Sequence, residues 1–184
     1  MRALIFRFYR AVYLVVYFSA RLQQLENNGA KAPVFVVSAN LLGLARWLRF
    51  LGFSTEIRTD PGKITVFLRE HPEAIFLSAG KKQFEHVDTS QSYLLHSNFI
   101  EDQLQELNSA FEIFRRMNLL SRCSLCNVPI EPVSKADIKQ QVPERVWQSF
   151  DQFWRCSRCR RIYWEGGHIE RLKEKLRRLG VPVG

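Results

Sequence analysis

The four cysteines of this chain fall into two Cys-x-x-Cys pairs, and this pattern limits the fold more than any other feature of the sequence. Cys123 and Cys126 form the first pair, and Cys156 and Cys159 form the second. Two such pairs can bind one Zn²⁺ in a tetrahedral site, so we predict a structural zinc held by four thiolates. The 29 residues between the pairs exceed the usual spacing of a zinc ribbon, so an insertion must connect them. An iron–sulfur cluster, disulfides and free thiols remain alternatives, and His168 is a spare ligand candidate that is more simply explained as a packed or capping histidine.

The composition is that of a globular protein with a positive charge. Of the 184 residues, 46% are hydrophobic and 24% are charged, which supplies a buried core and excludes wholesale disorder. Lysine and arginine outnumber aspartate and glutamate by 27 to 18, for a net charge of +9. The excess lies within residues 1–29 and 123–184, whereas the middle of the chain is nearly neutral. A positive field favours nucleic acid or an anionic membrane surface as a partner.

The first 29 residues combine four arginines with an apolar, aromatic run and a single acid, Glu26. The unbroken apolar stretch, residues 11–18, is too short to span a bilayer as a helix, so we predict no transmembrane span. The pattern suits a mitochondrial presequence, a secretory signal, or a basic helix that stays attached and docks on RNA or a partner. Because the cysteine pattern argues against secretion, we expect a mitochondrial location, with the cytoplasm as the alternative.

Short apolar runs alternate with amphipathic segments in the middle of the chain, which predicts an α/β domain with a parallel sheet. Strands are predicted at 34–37, 53–57 and 74–78. An intervening helix has its apolar face repeated from Leu41 to Leu51, with Asn40 as N-cap and Gly52 as C-cap. A second helix is predicted to begin at Ser97-Asn98, where Asn98 and Glu101 resemble a capping box.

The strand ends carry few acids, although ligands of parallel sheets bind beyond these ends. Ser38 follows the first strand, and Ser78-Ala79-Gly80 ends the third. A nuclease that uses Mg²⁺ needs several carboxylates at such a position, because hard cations take oxygen ligands. Asp60, Glu56 and Asp88 lie in the neighbouring connections, and a metal site built from these acids stays open as an alternative.

Basic and aromatic residues surround the second cysteine pair. Arginine can contact phosphate, and aromatic rings can stack on unpaired bases, so we predict RNA contacts here. A final helix over 168–179 has an apolar face and an excess of lysine and arginine on its other faces, which makes it a further candidate for RNA contact. The predicted RNA-binding residues are Arg46, Arg49, Arg122, Arg155, Arg158, Arg160 and Arg161.

A set of segments in a fixed order carries a family resemblance. The set comprises Phe35-Val36-Val37, residues 42–53 (LGLARWLRFLGF), residues 75–78 (IFLS), Asp102-Gln103-Leu104, residues 121–127 (SRCSLCN), Val142-Pro143, and residues 156–159 with 163–168 (YWEGGH). These segments resemble the Mut-seven C-terminal RNase domain family. The resemblance implies a PIN-like parallel sheet with flanking helices, followed by a four-cysteine zinc ribbon. It gives three parts: a basic segment at 1–29, a PIN-like domain at 30–120 and the ribbon with a basic C-terminal helix at 121–184.

The departures from the family pattern concern its metal-binding acids. The family resemblance implies an aspartate just after the first strand, where this chain has Ser38. It implies a Thr-Arg-Asp sequence after the later strand, where Gly80 stands in place of the acid. Asp60 matches an acidic position, but the acids expected after it are replaced by Pro61-Gly62-Lys63. The sequence therefore predicts an RNase-like site without its catalytic acids, in which Asp60 is a remnant.

Three functional hypotheses follow. The first is a non-catalytic PIN-like protein with a zinc ribbon, which binds structured RNA and protein subunits within a mitochondrial ribonucleoprotein such as the mitoribosome or its assembly machinery. The second is an active, metal-dependent endoribonuclease that uses a rearranged acidic site. The third is a protein-interaction subunit without RNA contact. A nuclease assay separates the second from the others, and salt-dependent RNA binding separates the first from the third.

Overall fold

A computed structural model describes residues 32–80, 87 and 89–183 of the chain. The basic segment at 1–29 and the acid candidate Asp88 lie outside the described residues, so the predictions for them stay predictions. Among the described residues, no helix combines the length and the apolar character that crossing a bilayer requires.

Four parallel strands form the main sheet, in the order β2-β1-β3-β4. The strands are β1 (Val34–Val37), β2 (Thr55–Ile57), β3 (Ala74–Ser78) and β4 (Ser92–Leu94). The predicted parallel α/β sheet is confirmed, and β1 and β3 have the predicted bounds. The strand β4 was not predicted, because three residues, of which the first is a serine, are too few to show an apolar period.

The two faces of the sheet bury different side chains because successive residues of a strand point to opposite sides. On one face, Phe35 and Leu77 pack with helices α1 (Leu42–Phe50) and α3 (Ile100–Phe111). On the other face, Val36 and Phe76 pack with the shorter α2 (Pro61–Glu70). The larger cluster lies on the α1 side and holds the main core of the protein.

The helix starts differ from the predicted caps. The predicted N-cap of α1, Asn40, lies within a short 3₁₀ turn over Ala39–Leu41, and the helix begins at Leu42 without a side-chain cap. The predicted capping box at Asn98 is also wrong, since α3 begins at Ile100 with Phe99 as its N-cap. The Ser97 hydroxyl accepts the Phe99 N–H at 3.1 Å and donates to the Asp102 carboxylate at 2.8 Å, so a neighbouring serine satisfies this turn.

Gly52, the predicted C-cap of α1, lies one residue beyond the actual C-cap, Leu51, and has a left-handed backbone with φ of 95°. An added Cβ would lie 2.3 Å from the Asn118 carbonyl oxygen, so the backbone of a neighbouring segment fills the space. We expect Gly52→Ala to lower the free energy of unfolding by about 1–3 kcal/mol or more, because both the conformation and the contact become strained. Urea unfolding measures this loss. Gly80→Ala is the matched control, because a Cβ at Gly80 meets nothing within 4 Å, and an equal loss in both variants would contradict the explanation.

The second sheet is antiparallel and has the order β5-β6-β7. Its strands are β5 (Ile130–Val133), β6 (Phe153–Cys156) and β7 (Ile162–Tyr163), with helix α4 (Glu144–Ser149) in the insertion between the cysteine pairs. This antiparallel sheet corresponds to the ribbon that the family resemblance implies, with the predicted insertion between the cysteine pairs.

The last helix, α5 (Gly167–Arg178), returns to the α/β core. Its residues Ile169 and Leu176 are buried in the main apolar cluster, together with Val181 beyond the helix. The predicted boundary after residue 120 therefore separates segments that share one core, and the ribbon is an insertion between α3 and α5.

Candidate functional site

The four cysteines converge on one point at the edge of the ribbon. The sulfur atoms of Cys123, Cys126, Cys156 and Cys159 all lie within 4.8 Å of one another. Cys123 and Cys156 are fully buried, whereas Cys159 is exposed, so the cluster lies beneath the surface with one side open. This set of donors fits a tetrahedral Zn²⁺ with four thiolate ligands, and the structure thus supports the predicted zinc site. His168 is not part of the cluster, and its side chain is exposed at the start of α5.

The two cysteine pairs repeat the same backbone conformation. In each pair, the N–H of the second cysteine donates to the sulfur of the first, at 3.3 Å for Cys126 and 3.4 Å for Cys159. The residue that follows each pair has a left-handed backbone, with φ of 62° at Asn127 and 61° at Arg160. The N–H of that residue donates to the carbonyl oxygen of the first cysteine at 3.0 Å in both pairs. Equal turns of this kind present their two sulfurs to a common centre.

The thiol of Cys123 has surroundings that favour the thiolate form. Burial raises its pKa, but hydrogen bonds from the Tyr163 hydroxyl, at 3.0 Å, and from backbone N–H groups outweigh burial and lower the pKa to about 7. Because a metal ligand must be deprotonated, these contacts prepare Cys123 for a metal ion. This role of Tyr163 was not predicted, although Tyr163 is the first residue of the segment 163–168, which is part of the family resemblance.

Arg49 joins the first cysteine pair to the main sheet. Its guanidinium donates to the Thr55 carbonyl through Nε at 3.0 Å and Nη2 at 2.7 Å. Its Nη1 donates to the carbonyls of Ser124 and Leu125 at 3.1 Å and 2.8 Å. The predicted RNA contact of Arg49 is therefore wrong, because only 4% of this residue is exposed and its donors are already used inside the protein. Burial also lowers its pKa from the ordinary value of an arginine.

Asn127 makes a second connection between the same two parts. Its Oδ1 accepts the Thr55 N–H at 2.8 Å, and its Nδ2 donates to the Glu56 carboxylate at 2.9 Å. This connecting role of Asn127 was not predicted from the sequence. A signal was present, since asparagine is one of the few residues that adopts the left-handed conformation readily after such a turn.

The two strand ends at the centre of the main sheet are occupied by serines. Val37 pairs with Leu77, so Ser38 and Ser78 follow side by side at the carboxyl edge of the sheet. Because β2 lies on one side of β1 and β3 on the other, the two serines are at the topological switch point of the sheet. Both serines are buried, with 1% and 0% exposure. Each makes local hydrogen bonds: the Ser38 hydroxyl donates to the Asn40 side chain, and the Ser78 hydroxyl exchanges hydrogen bonds with the Gly80 backbone at 3.0 and 3.1 Å. Neither position supplies a carboxylate.

The acids of the alternative metal site have structural partners. The Asp60 side chain is exposed and accepts the Lys63 N–H at 2.9 Å, which makes it the N-cap of α2. The Glu56 carboxylate accepts from Asn127. Among the described residues, the four cysteines form the one group of three or more metal-ligand types close enough to hold an ion.

The other six predicted RNA-binding arginines divide into two sets. Arg46, Arg158, Arg160 and Arg161 are exposed on the surface. Arg122 and Arg155 are partly buried: Arg122 donates to the Asn127 carbonyl, and Arg155 donates to the Gln141 side chain at 3.4 Å. The structure brings Arg122 and Arg161 to the wall of one cleft with Arg46.

Four cations of α5 are paired with acids, and one of them, Lys173, is buried. Lys173 lies 2.6 Å from Glu165, and Lys175 lies 3.1 Å from Glu101. The last turn repeats this pattern, because Arg177 and Arg178 both contact the Glu174 carboxylate at 3.4 Å. The expected RNA contact of these side chains therefore loses its main support, since their charge is already compensated.

Comparison with known proteins gives one match. A family model described as the Mut7-C RNAse domain matches residues 33–176. This range covers the main sheet, both cysteine pairs and most of α5. No curated protein and no solved structure matches the chain.

Proposed function

The chain belongs to the Mut7-C RNAse domain family, and from that premise we propose that it is a non-catalytic member of the family that binds RNA. The observation that carries the proposal is the residue content of the strand ends. Ser38 and Gly80 stand where the family resemblance implies acids, and Asp60 acts as a helix cap. The PIN-like fold is then a scaffold for RNA contact.

Without these acids the site has less negative charge and fewer oxygen ligands for a catalytic metal ion. A Mg²⁺ ion in a nuclease site is held by one or two carboxylates, and it stabilises the attacking and leaving oxygens of the phosphodiester. Ser38 offers a neutral hydroxyl that is already bonded, and Gly80 offers only its backbone. With these residues, the edge of the sheet has little affinity for a divalent cation.

The proposed RNA contacts come from the second cysteine pair and its surroundings. Arg158, Arg160 and Arg161 are exposed around Cys159, and no carboxylate among the described residues pairs with their side chains. Such arginines keep their full charge for phosphate, which gives salt-dependent binding. A zinc ion bound by the four cysteines would have a structural part here, because it would hold the turn between β6 and β7 that carries these arginines.

The proposed setting is a mitochondrial ribonucleoprotein such as the mitoribosome or a complex that assembles it. This part of the proposal is supported by the sequence alone: a basic, acid-poor start at residues 1–29 and the net charge of +9. In that setting the chain contacts structured RNA and neighbouring protein subunits. Fractionation of the source cells, with analysis of the RNA and proteins that co-purify with the native chain, tests it.

We expect the purified protein not to cleave a labelled single-stranded RNA in the presence of Mg²⁺ or Mn²⁺. The double variant Ser38→Asp with Gly80→Asp is expected to gain Mn²⁺ binding, measured by calorimetry, because it restores two oxygen ligands at the sheet edge. Ser38→Asn with Gly80→Asn is the matched control, since it has the same shape without the charge. The space at Gly80 admits a side chain, because an added Cβ meets nothing within 4 Å.

Metal-dependent cleavage by the parent protein, abolished by Asp60→Asn, would overturn the non-catalytic proposal and favour a rearranged nuclease site. A parent protein that neither cleaves nor binds RNA would favour the protein-interaction subunit instead. RNA binding is measured as affinity over a range of salt concentrations, because a phosphate contact has a characteristic salt slope.

A further inference from the structure

A cleft of about 970 Å³ lies between α1 of the core and the zinc ribbon. Its volume is at the upper end of the range of about 300–1,000 Å³ for ligand pockets. Its lining comes from α1, from β7 and the residues after it, from α4, and from the first two turns of α5. The cleft is separate from the serines at the strand ends, which do not line it.

The charged residues that line the cleft carry charge of one sign. Five arginines line it, and none of the described residues in its wall is acidic. The five are Arg46, Arg122, Arg145, Arg161 and Arg171. A cleft lined by charges of one sign attracts ligands of the opposite sign, so a polyanion suits it.

The side chains of these arginines have few partners within the described part of the chain. Arg46, Arg145, Arg161 and Arg171 are exposed, and no carboxylate of the described residues pairs with them, in contrast to Arg177 of α5. The Nε of Arg122 is buried without a hydrogen-bond partner, although its Nη1 donates to the Asn127 carbonyl. The cleft therefore holds guanidinium groups with unused donors.

Aromatic rings line the cleft together with the arginines. Trp47 comes from α1, and Tyr163 and Trp164 come from β7 and the residue after it; all three are partly exposed. The Trp164 indole packs directly over Gly166, where an added Cβ would lie 2.5 Å from the indole nitrogen. Tyr163 is fixed by its hydrogen bond to the Cys123 sulfur. Partly exposed rings of this kind provide surfaces on which bases can stack.

We propose that this cleft binds an unpaired segment of RNA, with phosphates on the arginines and bases on the aromatic rings. The proposal rests on the proposed function, since it assigns the RNA contact to a particular site and a particular form of RNA. An alternation of arginine and aromatic side chains suits single strands, because each exposed base offers a face for stacking. A regular duplex keeps its base faces stacked inside, out of reach of Trp47.

Two other occupants fit the cleft less well. The segment at 1–29 carries four arginines and one acid, so its charge has the same sign as the cleft. The carboxylates of an acidic peptide would pair with the arginines, but carboxylates do not stack on the aromatic rings. Both are outcomes of the test below.

The first test compares two double variants of the full-length protein that remove the same charge. Arg46→Gln with Arg171→Gln changes the cleft, whereas Arg158→Gln with Arg160→Asn changes the exposed arginines around Cys159. Asparagine is used at 160 because it tolerates the φ of 61°. The probe is a labelled, unstructured RNA of about ten nucleotides, within the usual site sizes of about 4–16 nucleotides.

We expect the cleft variant to lose on the order of tenfold more affinity than the surface variant, and its salt slope to fall by about 1.4, or about 0.7 for each phosphate contact. Equal losses in the two variants would overturn the cleft proposal and leave RNA binding by the surface intact. A parent protein that does not bind the probe would overturn the proposed function together with the cleft. Competition by polyglutamate as strong as that of the RNA would overturn the assignment to nucleic acid.

The second test isolates stacking. A strand with the same phosphates but with abasic positions is expected to bind about five- to 150-fold more weakly per lost stack than the complete strand. Trp47→Leu should weaken binding of the complete strand and leave binding of the abasic strand nearly unchanged. Equal affinity of the parent protein for the two strands would overturn the stacking part of the proposal, and a gain in affinity on deletion of residues 1–29 would favour that segment as the occupant.

Discussion

Cys156→Ser is expected to abolish zinc binding and unfold the ribbon. Cys156 is fully buried at the end of β6, and its sulfur is one of the four that converge. Zinc binding in sites of this kind provides about 10–16 kcal/mol of apparent free energy, which is coupled to folding. A serine oxygen binds zinc far less well than a thiolate, so most of this stabilisation is lost. Elemental analysis should show one zinc per parent chain and none in the variant, and limited proteolysis should cut within the ribbon.

The control for this change is Ser157→Ala, which alters the exposed neighbour of Cys156 and keeps all four sulfurs. This variant should retain zinc and resist proteolysis as the parent does. A zinc-free but folded ribbon in protein purified without chelator would contradict the zinc site, and iron in place of zinc would select the iron–sulfur alternative. Since α5 packs into the main core, the α/β part should keep its helical signal in the variant.

Arg49→Met is expected to have the second largest effect, a loss of about 3–5 kcal/mol in the free energy of unfolding. The guanidinium donates to three carbonyl oxygens, and one of them, that of Thr55, belongs to a residue with no exposed surface. Hydrogen bonds from a charged donor contribute about 1.5–3 kcal/mol each, and an acceptor left buried without a partner adds a penalty. Urea unfolding with a fluorescence readout measures the loss.

Arg46→Met provides the matched control, because Arg46 lies one turn earlier in the same helix and is exposed. A surface substitution of this kind should change stability by about 0.5 kcal/mol or less. Arg49→Lys should lie between the two, since lysine keeps the charge but cannot form the planar fork that reaches Thr55 twice. If Arg49→Met is no more costly than Arg46→Met, the buried guanidinium does not stabilise the fold.

The sequence predicts the centre of the fold better than its edges. The strands β1 and β3 are buried on both faces, so their apolar runs are continuous and their bounds are clear. The strand β4 and the helix α4 are short, and α4 buries none of its residues. Elements of this size are held by tertiary contacts, and their sequences carry no periodic signal that could predict them.

The candidate site was predictable where spacing carries the chemistry and not where burial decides the role. Two Cys-x-x-Cys pairs identify the four sulfurs without a structure. Arg49 differs, because an arginine in a basic helix has the same sequence signal whether its charge faces RNA or internal carbonyls. The cleft is unpredictable for a similar reason: Arg46 and Arg171 are far apart in sequence and line the same cleft only because α5 returns to the core.

The position of the ribbon between α3 and α5 has a consequence for the cost of opening it. Because the core anchors the chain on both sides of the ribbon, residues 121–166 form a closed loop of roughly 45 residues even when no metal is bound. The entropy of loop closure grows only logarithmically with length, about 3.4 kcal/mol for a loop of this size, and the folded core already bears it. The two cysteine pairs therefore stay at high effective concentration relative to each other. A metal ion that binds the first pair finds the second pair nearby, because the loop holds the two pairs closer together than a fully unfolded chain would.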